Sequence, residues 1–155
     1  MSPLNTLSLF LNPAKILTAQ GLTPDPWQRD LLFCSDRFVL LNCSRQSGKS
    51  TTVAALALHH LLVHPHSLIL LTAPSERQSQ ELFRKILAGF HALHLQLDSL
   101  KMNQSEWELT NGSRLLALPS REETIRSFSG VQLLILDEGF TGVDENDKLT
   151  ILEEL

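Results

Sequence analysis

At 155 residues, with a formal net charge of −4 and 43% hydrophobic residues, the chain is sized for one domain with a real apolar core. That charge gives no global attraction to nucleic acid or to an anionic membrane, so any DNA contact has to be local or shared with neighbouring subunits. Two cysteines, Cys34 and Cys43, are too few for a disulfide framework and fit a reducing cytoplasm.

The N-terminus lacks a basic start, and Asn12, Pro13 and Lys15 interrupt the apolar run of residues 7–11, which argues against a signal peptide. Asn12-Pro13 as a start and Gly21 as a stop predict a short helix over residues 14–20. Asp25-Pro26 repeats the start signal, predicting a second helix over 27–34 that carries Trp27 and Leu31 into the core. Gln28 on that helix has an amide with both a donor and an acceptor, the pair an adenine edge presents; a solvated helical glutamine is the plainer alternative.

Residues 37–42 (RFVLLN) read as a buried strand and residues 50–63 as a strongly apolar helix. Between them lies CSRQSGKST, from Cys43 through Ser44, Arg45, Gln46, Ser47, Gly48, Lys49 and Ser50 to Thr51. This is the layout of a phosphate-binding loop. Gly48 lets the main chain approach a phosphate without a Cβ in the way, Lys49 reaches the terminal phosphates as a point charge, and Ser50 offers its hydroxyl to Mg2+. The partial positive charge of the helix N-terminus adds to the site. The common pattern opens with glycine where this chain has Cys43. Arg45 is a cation close before Gly48 that can neutralise charge in a loose phosphoryl transition state.

After Pro65, residues 67–73 (SLILLTA) predict a second buried strand, and Ser75 with Gln78 forms a capping box opening a helix to about Leu93. This alternation predicts a parallel sheet covered on both faces. The helix after the loop is too short and too rich in histidine to span a bilayer. His60 and His64 stand four apart on it with no cysteine or carboxylate cluster beside them, so helix-face histidines are favoured over a metal site. Residues 105–118 predict a hairpin with a two-residue turn at Asn111-Gly112, Trp107 and Leu109 facing one way and Glu106 and Glu108 the other. Residues 131–138 (VQLLILDE) predict a third strand, deep in the sheet, that ends in Asp137 and Glu138 at the edge where open α/β sheets bind ligands. The first acid suits a water-mediated hold on magnesium, the second the polarising of an attacking water.

Taken in order, CSRQSGKST, TAPSERQSQEL, TIRSFSG and LLILDEG resemble the ATPase domain of the large terminase subunit, the motor that packages DNA into tailed-phage and related viral capsids. The resemblance covers about Pro26 to the C-terminus, and it accommodates Cys43, since this family relaxes the first glycine of the loop. It implies an α/β, three-layer P-loop NTPase of the ASCE, RecA-like class with a mostly parallel sheet, incomplete at the C-terminus, plus an inserted β-hairpin. Residues 1–24 would form a helical extension and 25–155 a partial ATPase domain without the nuclease domain. ATP and Mg2+ would be the cofactors, with Gln28 and residues 43–51 around the nucleotide. Ser50 and Asp137 would hold the metal, and Glu138, Lys49 and Arg45 would act in catalysis, Arg45 answering to the γ-phosphate and Arg126 serving the same end in cis or across an interface. Double-stranded DNA, a portal protein, a small terminase subunit and further copies in a ring would be the partners, in the host cytoplasm and without a membrane. A later strand lies between the loop strand and the acid strand in this class, so the isolated chain is expected to bind nucleotide weakly and hydrolyse it poorly. A helicase-like P-loop ATPase and a non-catalytic remnant are the alternatives.

Overall fold

The computed structural model describes residues 3–44, 46–95, 97–120, 125 and 127–137. Among them the chain runs α1 (Pro3–Leu11), α2 (Lys15–Ala19), α3 (Pro26–Leu32), α4 (Lys49–Val63), β1 (Leu68–Ala73), α5 (Glu76–Ala92), β2 (Ser99–Met102), β3 (Glu106–Leu109), β4 (Arg114–Pro119) and β5 (Leu133–Leu136). Helices α2 and α3 fall within two residues of where their proline start signals put them, whereas α1 was not anticipated. Ser75 caps α5 by accepting from the Gln78 amide at 3.3 Å, as the capping box required. The helix that the sequence of residues 144–155 (DENDKLTILEEL) predicts lies outside the described residues. Among the described residues, no helix is long and apolar enough to cross a membrane.

The strands form one sheet in the order β2-β3-β4-β1-β5. β1 pairs in parallel with β4 and with β5, while β2–β3 and β3–β4 are antiparallel. The sheet is therefore mixed, not mostly parallel. The cause is that the hairpin folds straight into the sheet: β4, its second strand, lies beside β1, and β3 and β2 follow outward.

The hairpin alternates as expected, with Trp107 and Leu109 buried and Glu106 and Glu108 only partly so. Its turn is one residue longer than predicted. Trp107 faces Leu115 and Glu108 faces Arg114, and the Leu109 amide donates to Ser113 O at 2.9 Å, leaving Thr110, Asn111 and Gly112 as the loop. Gly112 sits at φ 81°, the left-handed residue that closes a three-residue loop with a bulge.

Residues 37–42 form no strand. Phe38, Val39 and Leu40 are 55%, 50% and 94% exposed. An apolar run predicts burial, but a strand also needs a hydrogen-bonded neighbour, and among the described residues none pairs with this segment. β5 is likewise less deep than its run of leucines and isoleucine suggested. It pairs with β1 alone among the described strands, and only Ile135 is buried.

The core lies between this sheet and helices α4 and α5, which pack together against the face presented by Ile69 and Leu71 of β1 and Leu115 and Ala117 of β4. Leu58, Leu61 and Leu62 come from α4; Leu82, Phe83, Ile86 and Phe90 come from α5, one stripe at helical spacing. Helices α4 and α5 thus share one face, whereas a sheet covered on both faces was expected. Leu70 and its register partner Leu116 point to the other face. Trp107 is fully buried, edge-on to Phe90 with ring centroids 4.9 Å apart, and its indole N–H donates to Ser99 Oγ at 2.8 Å. Ile16 and Leu17 of α2 complete the same cluster.

Candidate phosphate-binding site

The loop between α3 and α4 begins where the exposed segment turns inward, with Cys43 half-buried and Ser44 exposed. Two residues then adopt left-handed backbone, Gln46 at φ 62° and Gly48 at φ 82°. Glycine reaches that region without penalty; Gln46 does so at a cost of about 1 kcal/mol. Gly48 is also the N-cap of α4, and no side chain caps the helix there. Thr52 is the first residue of α4 whose amide reaches a carbonyl at the helix start, Gly48 O at 3.0 Å. The amides of Lys49, Ser50 and Thr51 belong to the free first turn, where the partial charge of the helix is positive.

A cavity of about 570 Å3 lies between α3 and the segment leading into the loop, lined by Trp27, Leu31, Leu40, Cys43, Ser44 and Ser47 among others. Trp27, expected in the core, is only half-buried and forms part of this wall. Within the loop, Ser47 Oγ is buried and has no hydrogen-bond partner among the described residues, which leaves a polar atom that a phosphate oxygen would satisfy. A second cavity of about 90 Å3 lies at the mouth of α4 and is lined by Ser50, Gln78, Glu81, Leu82, Lys85 and Asp137. Ser50 from the start of α4 and Asp137 from the end of β5 therefore share one small space. The Asp137 amide, which donates to Thr72 O at 2.8 Å, fixes the acid to the end of β1.

Gln28 stands apart from both cavities. It is 9% exposed, and its Oε1 accepts from the Asp25 amide at 2.8 Å, completing a capping box for α3. Its Nε2 donates to Thr52 Oγ1 at 2.8 Å, and Thr52 Oγ1 donates in turn to Gly48 O at 3.0 Å. Of the predicted site residues, Arg45 and Glu138 lie outside the described residues, as does Arg126. The structure brings Ser50 and Asp137 together, places Cys43, Ser44 and Ser47 along the larger cavity, and sets Lys49 at the first turn of α4.

Sequence reasoning missed Thr52 and the α5 residues Gln78, Glu81 and Lys85. Thr52 stands four residues after Gly48, the spacing at which a helical hydroxyl returns to the preceding turn. Gln78, Glu81 and Lys85 are spaced three and four apart on one helix face, a signal present in the sequence but without meaning until β5 is placed beside it.

A left-handed glycine at the N-terminus of a helix, a lysine and serine following it, and an acid from a neighbouring strand form a candidate phosphate-binding site on an α/β fold. Comparison with known families narrows this. The family described as "Terminase large subunit, T4likevirus-type, N-terminal" matches residues 40–153, and the chain belongs to that family. Among solved structures, an Arg-to-Ala mutant of the large terminase ATPase domain of Thermus phage P74-26 is similar over 90% of this chain, with TM-score 0.62 and 19% identity. A second structure of the same phage's large terminase ATPase domain matches over 81% with TM-score 0.57 and 20% identity. At that identity the likeness speaks for the fold. The chain spans 62% of the first of these domains and 56% of the second.

Proposed function

We propose that this chain forms part of a magnesium-dependent ATPase that drives double-stranded DNA into a viral capsid, with the three-layer P-loop architecture of that class. The observation that carries the reading is the convergence of Ser50 and Asp137 on one cavity at the mouth of the helix that Gly48 and Lys49 open. The residues fit the groups they would hold. The Ser47 hydroxyl, buried and unpartnered among the described residues, and the Cβ-free Gly48 suit a phosphate, and a hydroxyl and a carboxylate lining one cavity suit a hydrated hard cation.

In this mechanism Gly48 lets the loop close on the phosphates and the free amides of the first turn of α4 donate to their oxygens. Lys49 neutralises the terminal phosphates. Ser50 and Asp137 would hold Mg2+, which would supply charge neutralisation for the phosphates. Glu138 orients and polarises the attacking water, taking its proton, and Arg45 stabilises the charge on the transferring phosphoryl group. Residues 43–51 surround the nucleotide. A portal protein, a small terminase subunit and further copies in a ring are the partners this reading entails, in the host cytoplasm.

Titration of magnesium-ATP into the chain and into Lys49→Ala tests the reading. Binding should be weak in the chain itself and at least about tenfold weaker in the variant, the loss of one charge-assisted contact. Binding that is absent from both, or equal in both, overturns the assignment. Steady-state turnover by the chain is expected to be slow; robust turnover abolished by Lys49→Ala would refute that expectation while supporting the site.

A further inference from the structure

We infer that Gln28 is a positioning residue that holds the phosphate loop through Thr52 and the Gly48 carbonyl, and does not read the nucleotide base. The inference rests on the nucleotide-binding reading above and assigns Gln28 and Thr52 a task within it.

Four observations support it. The amide is tied at both ends, Oε1 to the Asp25 amide at 2.8 Å and Nε2 to Thr52 Oγ1 at 2.8 Å. Thr52 Oγ1 passes the chain of hydrogen bonds on to Gly48 O at 3.0 Å, so it ends on the loop glycine itself. The amide also packs against that glycine, because a Cβ built on Gly48 would lie 2.9 Å from Gln28 Nε2. Gln28 lines neither cavity, although its helix neighbours Trp27 and Leu31 line the larger one.

Thr52 is fully buried and Gln28 nearly so, and a hydrogen-bonded chain between two such groups is stiff because neither has water as an alternative partner. The Gly48 carbonyl that receives it also accepts the Thr52 amide. Its orientation fixes the peptide plane between Gly48 and Lys49, and with it the direction of the Lys49 amide. That amide is one of the free donors of the first turn. The start of α3, which Asp25 and Pro26 set, is thereby coupled to the geometry of phosphate contacts one helix away. A residue that acts in this way affects every ligand carrying the phosphates to the same degree, whatever base is attached.

The test measures dissociation constants for magnesium-ATP, magnesium-GTP and inorganic tripolyphosphate with the whole chain, below the melting transition of each variant. Gln28→Leu and Thr52→Val should each weaken all three ligands alike, by about tenfold, the effect of one lost buried hydrogen bond. The double variant should be no weaker than either single one, since both cut the same chain. Thr52→Ser, which keeps the hydroxyl, should bind nearly as the parent does, a rescue that a packing role for the threonine methyl would not give. If Gln28→Leu fails to fold, the Thr52→Val and Thr52→Ser pair carries the comparison. A loss confined to ATP in Gln28→Leu overturns the inference in favour of base reading, and so does unchanged binding in Thr52→Val when Lys49→Ala is impaired. Binding that Lys49→Ala leaves intact overturns the nucleotide reading itself, and the inference with it.

Discussion

Gly48→Ala isolates two separate demands made on one residue. The first is conformational: at φ 82° and ψ 11°, an alanine meets the left-handed penalty of roughly 1–2 kcal/mol. The second is steric, since the new Cβ would stand 2.9 Å from Gln28 Nε2. The Gln28 amide would have to shift, straining its bond to Thr52 Oγ1 in a buried site, at a cost of up to about 1–2 kcal/mol. The expected destabilisation is about 3 kcal/mol in the parent chain. With Gln28 first replaced by alanine the steric part vanishes, and Gly48→Ala should then cost only about 1–2 kcal/mol. Urea denaturation followed by fluorescence of the two tryptophans measures all four corners of this cycle. Equal costs in both backgrounds would refute the contact between the glutamine and the loop, and a cost near zero in both would refute the left-handed cap.

Two further predictions concern the scaffold. His60 is held down to about 4, chiefly by burial and then by the neighbouring rings of His64 and His59, and His59 is lowered for the same leading reason. A histidine harder to protonate in the folded chain than in the unfolded one destabilises the fold as pH drops below 6.5, the loss growing until about pH 4. The displacement is worth at most about 3 kcal/mol, and screening of the half-exposed ring reduces it to about 1 kcal/mol. Urea midpoints between pH 7 and pH 4.5 should fall accordingly, less steeply in His60→Asn; identical slopes would remove the histidines as the cause. Glu106, whose carboxyl Lys101 and Arg114 hold below the usual range, loses its contribution only below that window. Trp107→Ala should cost about 4 kcal/mol through the cavity it leaves beside Phe90, read as a lower thermal midpoint; a cost under about 1 kcal/mol would mean that the hairpin is not part of the core.

How far the sequence spoke for the fold depended on whether the information was local. The Ser75 cap, the alternation around Trp107, the strand of residues 68–73 and the apolar helix after Lys49 are each fixed by neighbours within a few residues, and each is where it was expected. Residues 37–42 were misread because burial of an apolar run depends on a strand partner distant in sequence. The direction of the β3–β4 and β1–β4 pairings is equally non-local, which is why a mixed sheet appears where a mostly parallel one was expected. At the site, Lys49 and Ser50 stand at the start of a helix and Asp137 just after a strand, as read from the sequence, but the strand expected to lead into the loop is absent among the described residues. Gln28 was legible as a polar residue with a purpose, but its actual partners, Asp25 and Thr52, could be assigned only once α3 was seen against α4.

The position of β1 between β4 and β5 sets the order in which the candidate site can be assembled. Lys49 and Ser50 are synthesised first, β1 follows, and β4 and β5 pair with it only after the intervening helix and hairpin have been made. The Asp137 amide is held by the Thr72 carbonyl of β1, so the acid half of the candidate site forms only after the last of these long-range pairings has closed. Contacts between residues so far apart in sequence form slowly. The candidate phosphate loop is thus made well before the strand that carries its acid partner, and the two halves meet only when that last pairing forms.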